Sequence, residues 1–202
     1  GGGGYSRAIL DFSNTIIQAI DRDKKVLSLA KELEKKFPKR FKFHQSRFSQ
    51  LDQTISDYVD VVIFDLGLSS IQLNDLKRGF SFKSSYDLDM AMGLNNISAS
   101  DVVNKLNEKE LKYIIKFLGD EKDASKIAKN IAKYRNVKRI TSTSELVKII
   151  EKSKKKIFSK KINPCTKTFQ ALRIFVNKEI TELVNGIINA TKKLKPGGKI
   201  LV

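Results

Sequence analysis

Residues 64–73 read FDLGLSSIQL, and this stretch decides the fold. It continues a run of β-branched and aromatic residues that begins at Val59, which is typical of a strand buried on both faces of a parallel sheet. The run ends at Asp65, and ligands of open α/β sheets bind at the carboxyl ends of such strands. We therefore expect Asp65 to face a ligand; the alternative is a carboxylate that only caps the following turn.

The residues before this stretch alternate between strand and helix patterns. Strands are predicted at 16–21, 41–44 and 59–65, helices at 6–13 and 24–37, and a helix or turn at 48–58. Pro38 ends the second of these helices because proline lacks an amide donor. This order predicts an α/β protein with a doubly wound, nucleotide-binding type of parallel sheet.

After Gln72 the pattern becomes polar and rich in helices without strand partners. Helices are predicted at 99–105, 108–118, 123–134 and 144–152, followed by one long helix at 168–193 and a strand that begins at Lys199. We expect three segments: the first part of the sheet domain at 1–74, a helical insertion at 75–163, and the continuation of the sheet domain at 164–202.

Four glycines open the chain and precede a predicted helix. Glycine lets the backbone approach a ligand closely, and Asp21, at the end of the next predicted strand, can accept hydrogen bonds from both hydroxyls of a ribose. The same arrangement suits NAD and S-adenosylmethionine.

Further motifs decide between these cofactors by resemblance. They are GGGGYSRAIL at 1–10, RGFSF at 78–82, LDM at 88–90 and TKTFQALRI at 166–174. Together with residues 64–73 they closely resemble the bacterial 16S ribosomal RNA cytosine-N4 methyltransferases of the MraW type. The chain departs from the family pattern at Tyr5, where histidine is usual, at Tyr86-Asp87, where Gly-Pro is usual, and at Ala91, where arginine is usual. It opens on the glycine loop and stops where a strand begins, so we expect a fragment of the family domain.

The resemblance implies a class I, Rossmann-like S-adenosylmethionine-dependent methyltransferase sheet with an inserted helical domain. It implies methylation of the N4 amine of a decoding-centre, P-site cytosine in 16S rRNA, in the small ribosomal subunit. Cofactor contacts are implied at Gly3, Gly4, Tyr5, Asp21, Phe48, Asp65 and Gln72. Asp65, Ser69 and Ser70 are the candidate catalytic residues, because each could accept a hydrogen bond from the cytosine amine.

RNA contacts are expected in three regions. Arg78 and Phe80 form a basic and aromatic cluster that could position an unpaired base, with a loop pinned to the core as the equal alternative. Arg173 lies one helical turn from Asn177 and could face the same site, or else form a salt bridge to the sheet edge. Lys154, Lys155 and Lys156 are expected to meet phosphates.

The charge supports a polyanionic partner. The net charge is +17, from 39 basic and 22 acidic residues, and residues 97–164 contain 18 Lys and Arg against 8 Asp and Glu. Lysine and arginine that neutralise phosphates give proteins sequence-independent affinity for nucleic acids. A compositional bias toward lysine would give the same charge without any such partner.

Other function classes find little support. No apolar run approaches the roughly 18 residues of a membrane span, and we expect a cytoplasmic protein. One cysteine, Cys165, excludes an internal disulfide framework, and a single histidine, His44, offers no metal-ligand cluster. The remaining alternatives are another RNA or DNA amino-methyltransferase and a basic ribosome-assembly protein that binds RNA without catalysis. The oligomeric state stays open.

Overall fold

The computed structural model describes residues 2–154 and 163–202. The chain divides into two compact units. The first contains Gly1–Ile71 and Ile180–Val202, and the second contains Gln72–Glu179. None of the helices in the described ranges is long and apolar enough to cross a membrane.

Helices account for most of the regular structure. They are α1 (Gly4–Leu10), α2 (Leu27–Lys36), α3 (Leu51–Thr54), α4 (Ser70–Asn74), α5 (Ala99–Lys105), α6 (Glu108–Gly119), α7 (Ala124–Arg135), α8 (Thr143–Ser153), α9 (Thr166–Val176) and α10 (Glu179–Lys193). The strands are β1 (Ile17–Ile20), β2 (Phe41–His44), β3 (Val59–Ile63) and β4 (Leu194–Leu201). Short 3-10 turns occur at Lys24–Val26, Phe48–Gln50 and Leu76–Arg78.

All four strands lie in the first unit and pair in parallel. β1 pairs with β2 from Ile17 opposite Phe41, and β3 pairs with β4, with an irregular register between Val59 and Val61. Parallel strands joined by helices confirm the α/β class. Within the described ranges the strands form two separate pairs, so the doubly wound sheet stays a prediction.

Two hydrophobic clusters hold the first unit together. One contains Leu10, Leu33 and Phe41, and it packs α1 and α2 against β1 and β2. The other contains Leu51, Ile55, Val62, Phe64 and Ala190, with Ile20 and Phe48 packed against it. The second cluster therefore joins the end of β1 to the end of β3 and to α10.

The second unit is built from helices with well-defined starts. Ser98, Asn107 and Ser142 begin α5, α6 and α8, and each forms a capping box with an acidic residue three positions later. Gly119 lets α6 approach α9 closely, because a Cβ atom there would collide with the Lys167 carbonyl. Leu111, Ile115 and Leu172 are among the fully buried side chains of this core.

The boundary after the helical segment differs from the prediction. The helix predicted at 168–193 is two helices, α9 and α10, separated near Lys178, which has a positive φ of 50°. Because α9 packs on α5 and α6, the second unit ends at Glu179 rather than at residue 163. β4 begins at Leu194, earlier than the strand predicted from Lys199.

Candidate active site

Asp21 follows β1 and is fixed by the backbone around it. Its amide donates to the His44 carbonyl at 3.2 Å, which continues the β1–β2 pairing. Its Oδ1 accepts a hydrogen bond from the Asp23 amide at 2.8 Å. This bond fixes the orientation of the Asp21 carboxylate after β1.

One apolar cluster contains the residues that directly precede Asp21 and Asp65. Ile20 and Phe64, the residues directly before the two carboxylates, pack in the same cluster. Phe64 is buried and contacts Phe48 edge to face, with ring centroids 5.9 Å apart and an interplanar angle of 78°. The predicted site residues Asp21, Phe48 and Asp65 therefore lie at the edge of one cluster.

α10 supports the turn that carries Phe48. Gly186 allows the close approach, since a Cβ atom there would lie 2.9 Å from the Phe64 ring and 3.4 Å from Phe48 Cβ. The Asn189 amide donates to the Ser49 carbonyl at 2.7 Å. This packing holds Phe48 only partly buried.

Sequence reasoning missed Glu182, which is buried on α10. Its carboxylate accepts from the Ser49 amide and pairs with the Arg47 guanidinium, both at 3.4 Å. The local sequence, Ile180-Thr181-Glu182-Leu183, gives no signal for this burial, and the partners that a buried carboxylate needs lie more than 130 residues away. Glu182 is a positioning residue for Phe48.

The glycine loop enters α1 through Gly3. Gly3 has a φ of 76°, which glycine adopts readily, and its carbonyl accepts from the Arg7 amide at 3.0 Å. A Cβ atom at Gly4 would meet nothing within 4 Å, and the same holds at Gly67, in the loop after β3. Both loops therefore leave their backbone open to a ligand. Tyr5 is exposed.

The loop after β3 carries the remaining predicted residues. Asp65 is exposed, Ser69 is partly buried and Ser70 begins α4. Gly67 has a φ of 100°, a conformation that other residues rarely adopt. Gln72 is buried on α4 and is the first residue of the second unit. The catalytic and cofactor roles of these residues stay predictions.

Arg78 and Phe80 contact each other inside the second unit. The guanidinium lies over the Phe80 ring, 5.1 Å from its centroid, and donates to the Ala91 carbonyl at 3.1 Å. The Phe80 ring is buried, so it is not available to stack on a base. These contacts support the alternative prediction, a loop pinned to the core.

Burial also raises the pKa of Asp89, and the nearby positive charge of Arg78 opposes this rise with a smaller effect.

Arg173 and Asn177 also have structural partners. Arg173 forms a bidentate ion pair with Glu179, at 2.8 and 3.0 Å, whereas the alternative to RNA contact predicted a salt bridge to the sheet edge. The buried Asn177 side chain donates to the Met90 carbonyl and accepts from the Met92 amide, each at 2.8 Å. Asn177 therefore fixes the loop that carries the LDM motif.

Lys154 does not face solvent. Its ammonium pairs with the buried Glu121 carboxylate at 2.5 Å and donates to the Pro164 carbonyl, and only 8% of its side chain is exposed. This placement runs against the prediction that Lys154 contacts phosphate, because the charge is already neutralised inside the unit. Lys155 and Lys156 lie outside the described residues.

His44 and Cys165 have the structural surroundings expected of them. His44 Nε2 lies 2.8 Å from Gln18 Oε1, and burial, followed by the charge of Lys42, lowers its pKa. Cys165 is buried, and burial raises its pKa to about 12, so the thiol stays protonated at neutral pH.

Comparison with known proteins identifies the family. The MraW methylase family matches residues 1–202. The chain belongs to this family. It is 45% identical over 207 residues to a protein of Ehrlichia canis, 43% over 200 to one of Bartonella henselae and 41% over 208 to one of Brucella anthropi. Each is named Ribosomal RNA small subunit methyltransferase H.

These relatives are longer than the chain. The match covers all or nearly all of this MraW-family chain but 70% of the Ehrlichia protein, 60% of the Brucella protein and 58% of the Bartonella protein.

Proposed function

We propose that this MraW-family protein uses S-adenosylmethionine to methylate the N4 amine of a decoding-centre, P-site cytosine in 16S rRNA. The observation that carries the proposal is the apolar cluster of Ile20, Phe48 and Phe64, beside which Asp21 and Asp65 follow two strands. The names of the relatives support small-subunit rRNA as the substrate. Small ribosomal subunits are assembled in the cytoplasm, where we expect the protein to act.

The residues fit the methyl donor. A carboxylate such as Asp21 accepts hydrogen bonds of the kind that ribose hydroxyls donate, and the partly buried Phe48 ring can cover an adenine. The open backbone at Gly4 and Gly67 leaves room for a ligand to approach. We assign donor contacts to Gly3, Gly4, Tyr5, Asp21, Phe48, Asp65 and Gln72.

The reaction requires the protein mainly to position its two substrates. A cytosine exocyclic amine is a weak nucleophile because its lone pair is delocalised into the ring. When bound, S-adenosylmethionine supplies a methyl group that its sulfonium already activates. The protein must hold the amine nitrogen in line with that methyl group, and an acceptor must take a hydrogen bond from the amine as positive charge develops. The exposed Asp65 is the first candidate acceptor, and the Ser69 and Ser70 hydroxyls are the others.

Two alternatives to this proposal differ from it in the substrate or in the absence of methyl transfer. An amino-methyltransferase of the same family could act on another RNA or on DNA. A basic ribosome-assembly protein would bind RNA and transfer nothing. Mass-spectrometric nucleoside analysis of 16S rRNA, of the other cellular RNA and of DNA, in cells with and without the intact gene, separates all three. We expect loss of a methyl group from the cytosine N4 position in the deletion strain, restored by the wild-type gene. An unchanged nucleoside profile would refute the proposal.

A further inference from the structure

Helix α6 has exposed aromatic side chains that do not pack in the hydrophobic core. Its core-facing side chains, Leu111, Ile114 and Ile115, are buried. Tyr113 and Phe117 lie on the solvent side with 64% and 61% of their surface exposed. Large apolar side chains that stay this exposed on a helix with a complete apolar face indicate a binding surface.

The two rings form one platform. Tyr113 and Phe117 are one helical turn apart, with ring centroids 4.5 Å apart and an interplanar angle of 43°. The Lys116 ammonium lies 5.4 Å from the Phe117 centroid, so it occupies one face of that ring. Tyr113 also lines an open groove of about 420 Å³ together with Lys109, Glu110 and Phe175 of α9.

The charge beside the platform is mainly positive. Lys109, Lys112 and Lys116 are exposed on the same helix, and within the described residues none of the three forms an ion pair. Glu110 is the carboxylate in the groove, and its Oε2 accepts from the Asn107 amide at 2.8 Å as part of the helix cap. Stacking rings flanked by lysines match a single-stranded nucleic acid, in which bases stack and phosphates need cations.

We propose that Tyr113, Phe117 and the flanking lysines of α6 bind an unpaired, single-stranded segment of RNA. A base stacks on Tyr113 in the groove beside Phe175, and Lys112 and Lys116 meet the adjacent phosphates. The identity of the RNA as ribosomal rests on the proposed function, whereas the binding of single-stranded RNA rests on the α6 surface alone. This surface replaces Lys154 as the main site of expected phosphate contact in the second unit.

The test is the affinity of the full chain for a fluorescent single-stranded RNA oligonucleotide and for unmodified 16S rRNA, measured by anisotropy. Tyr113→Ala should weaken binding to both probes by roughly 5- to 100-fold, the range for loss of one stacked base. Tyr113→Phe keeps the ring and should bind as the wild type does. Tyr58→Ala is the matched control, because Tyr58 is 65% exposed and precedes the amino end of β3 in the other unit.

The lysines are tested by salt dependence. Lys112→Gln with Lys116→Gln should reduce the slope of log affinity against log salt by up to about 1.4, the value for two phosphate contacts on a single strand. Lys31→Gln with Lys35→Gln removes two exposed lysines at the same spacing on α2 and should leave the slope unchanged.

Three results would overturn the inference. They are unchanged affinity of Tyr113→Ala, an equal loss in Tyr58→Ala, and a fall in oligomeric mass for Tyr113→Ala, which would assign the surface to a second copy of the chain. Methyl-donor affinity, measured in parallel, should stay at the wild-type value. If the wild type transfers no methyl group but Tyr113→Ala still weakens oligonucleotide binding, the proposed function fails and this surface stands.

Discussion

Three carboxylates lie in or next to the candidate site. Asp21 and Asp65 directly follow Ile20 and Phe64, two residues of one apolar cluster, and their contact with a ligand is a prediction. Glu182 is buried and accepts a hydrogen bond from the Ser49 amide, in the turn that carries Phe48. The first two were predictable because they end strand patterns. Glu182 was not, because its burial depends on segments more than 130 residues away in sequence.

Replacement of Asp21 should weaken donor binding. Asp21→Ala removes charge-assisted hydrogen bonds to the ribose and should cost about 1–3 kcal/mol of binding free energy in isothermal titration with S-adenosylmethionine. Asp60→Ala is the control, because Asp60 is exposed in the middle of β3 and pairs with Lys195 at the surface. Unchanged affinity in Asp21→Ala would remove Asp21 from the site.

Replacement of Glu182 should destabilise the turn that carries Phe48. Glu182→Ala leaves the Ser49 amide and the Arg47 guanidinium without their carboxylate, and we expect a loss of about 1–3 kcal/mol in the free energy of unfolding, measured by urea denaturation. Glu32→Ala changes an exposed glutamate on α2 and should have little effect. Equal stability of the two variants would show that Glu182 does not position the turn.

Secondary-structure elements were predicted correctly where the pattern of apolar and polar residues changes along the chain. The three predicted strands at 16–21, 41–44 and 59–65 are confirmed as β1, β2 and β3, because each short apolar or aromatic run is bounded by turns or helices. The break between α9 and α10 was missed because Val176 and Ile180 continue the helical spacing across it. The exposure of a side chain is set by tertiary packing, so the burial of Phe80 and Lys154 could not be predicted from the motif or the charge run.

Helix α8 should show a defined acid dependence. Lys138 and the Thr141 and Ser142 amides hydrogen-bond to Glu145 and lower its pKa from 4.5 to about 2. Because the pKa is lower in the folded state, the stabilisation is complete above about pH 4.5 and is lost as the pH falls through about 2.

The substitution Glu145→Gln tests this dependence, since glutamine can keep the capping box but carries no charge. We expect the variant to unfold more readily than the wild type at pH 7, and the difference to shrink between pH 4.5 and pH 2 in chemical denaturation. A difference that stays constant over this range would contradict the assignment.

At the scale of the whole molecule, most of the predicted donor-binding residues and the proposed RNA-binding surface belong to different units. The predicted donor residues other than Gln72 belong to the first unit, whereas the α6 lysines and aromatic rings belong to the second. The net charge of +17 is consistent with an RNA partner, but net charge alone did not identify which lysines are accessible. Lys154 is buried in an ion pair, and the lysines of α6 are exposed.

The central claim is tested most directly by transfer of a labelled methyl group. Small ribosomal subunits that lack the modification are incubated with the protein and with S-adenosylmethionine that carries a trideuterated methyl group, and the rRNA nucleosides are analysed by mass spectrometry. We predict N4-trideuteromethylcytidine with the wild type, and a larger loss of turnover than of RNA affinity in Asp65→Ala. Label on another nucleoside, or no label from a protein that binds the donor, would contradict the account.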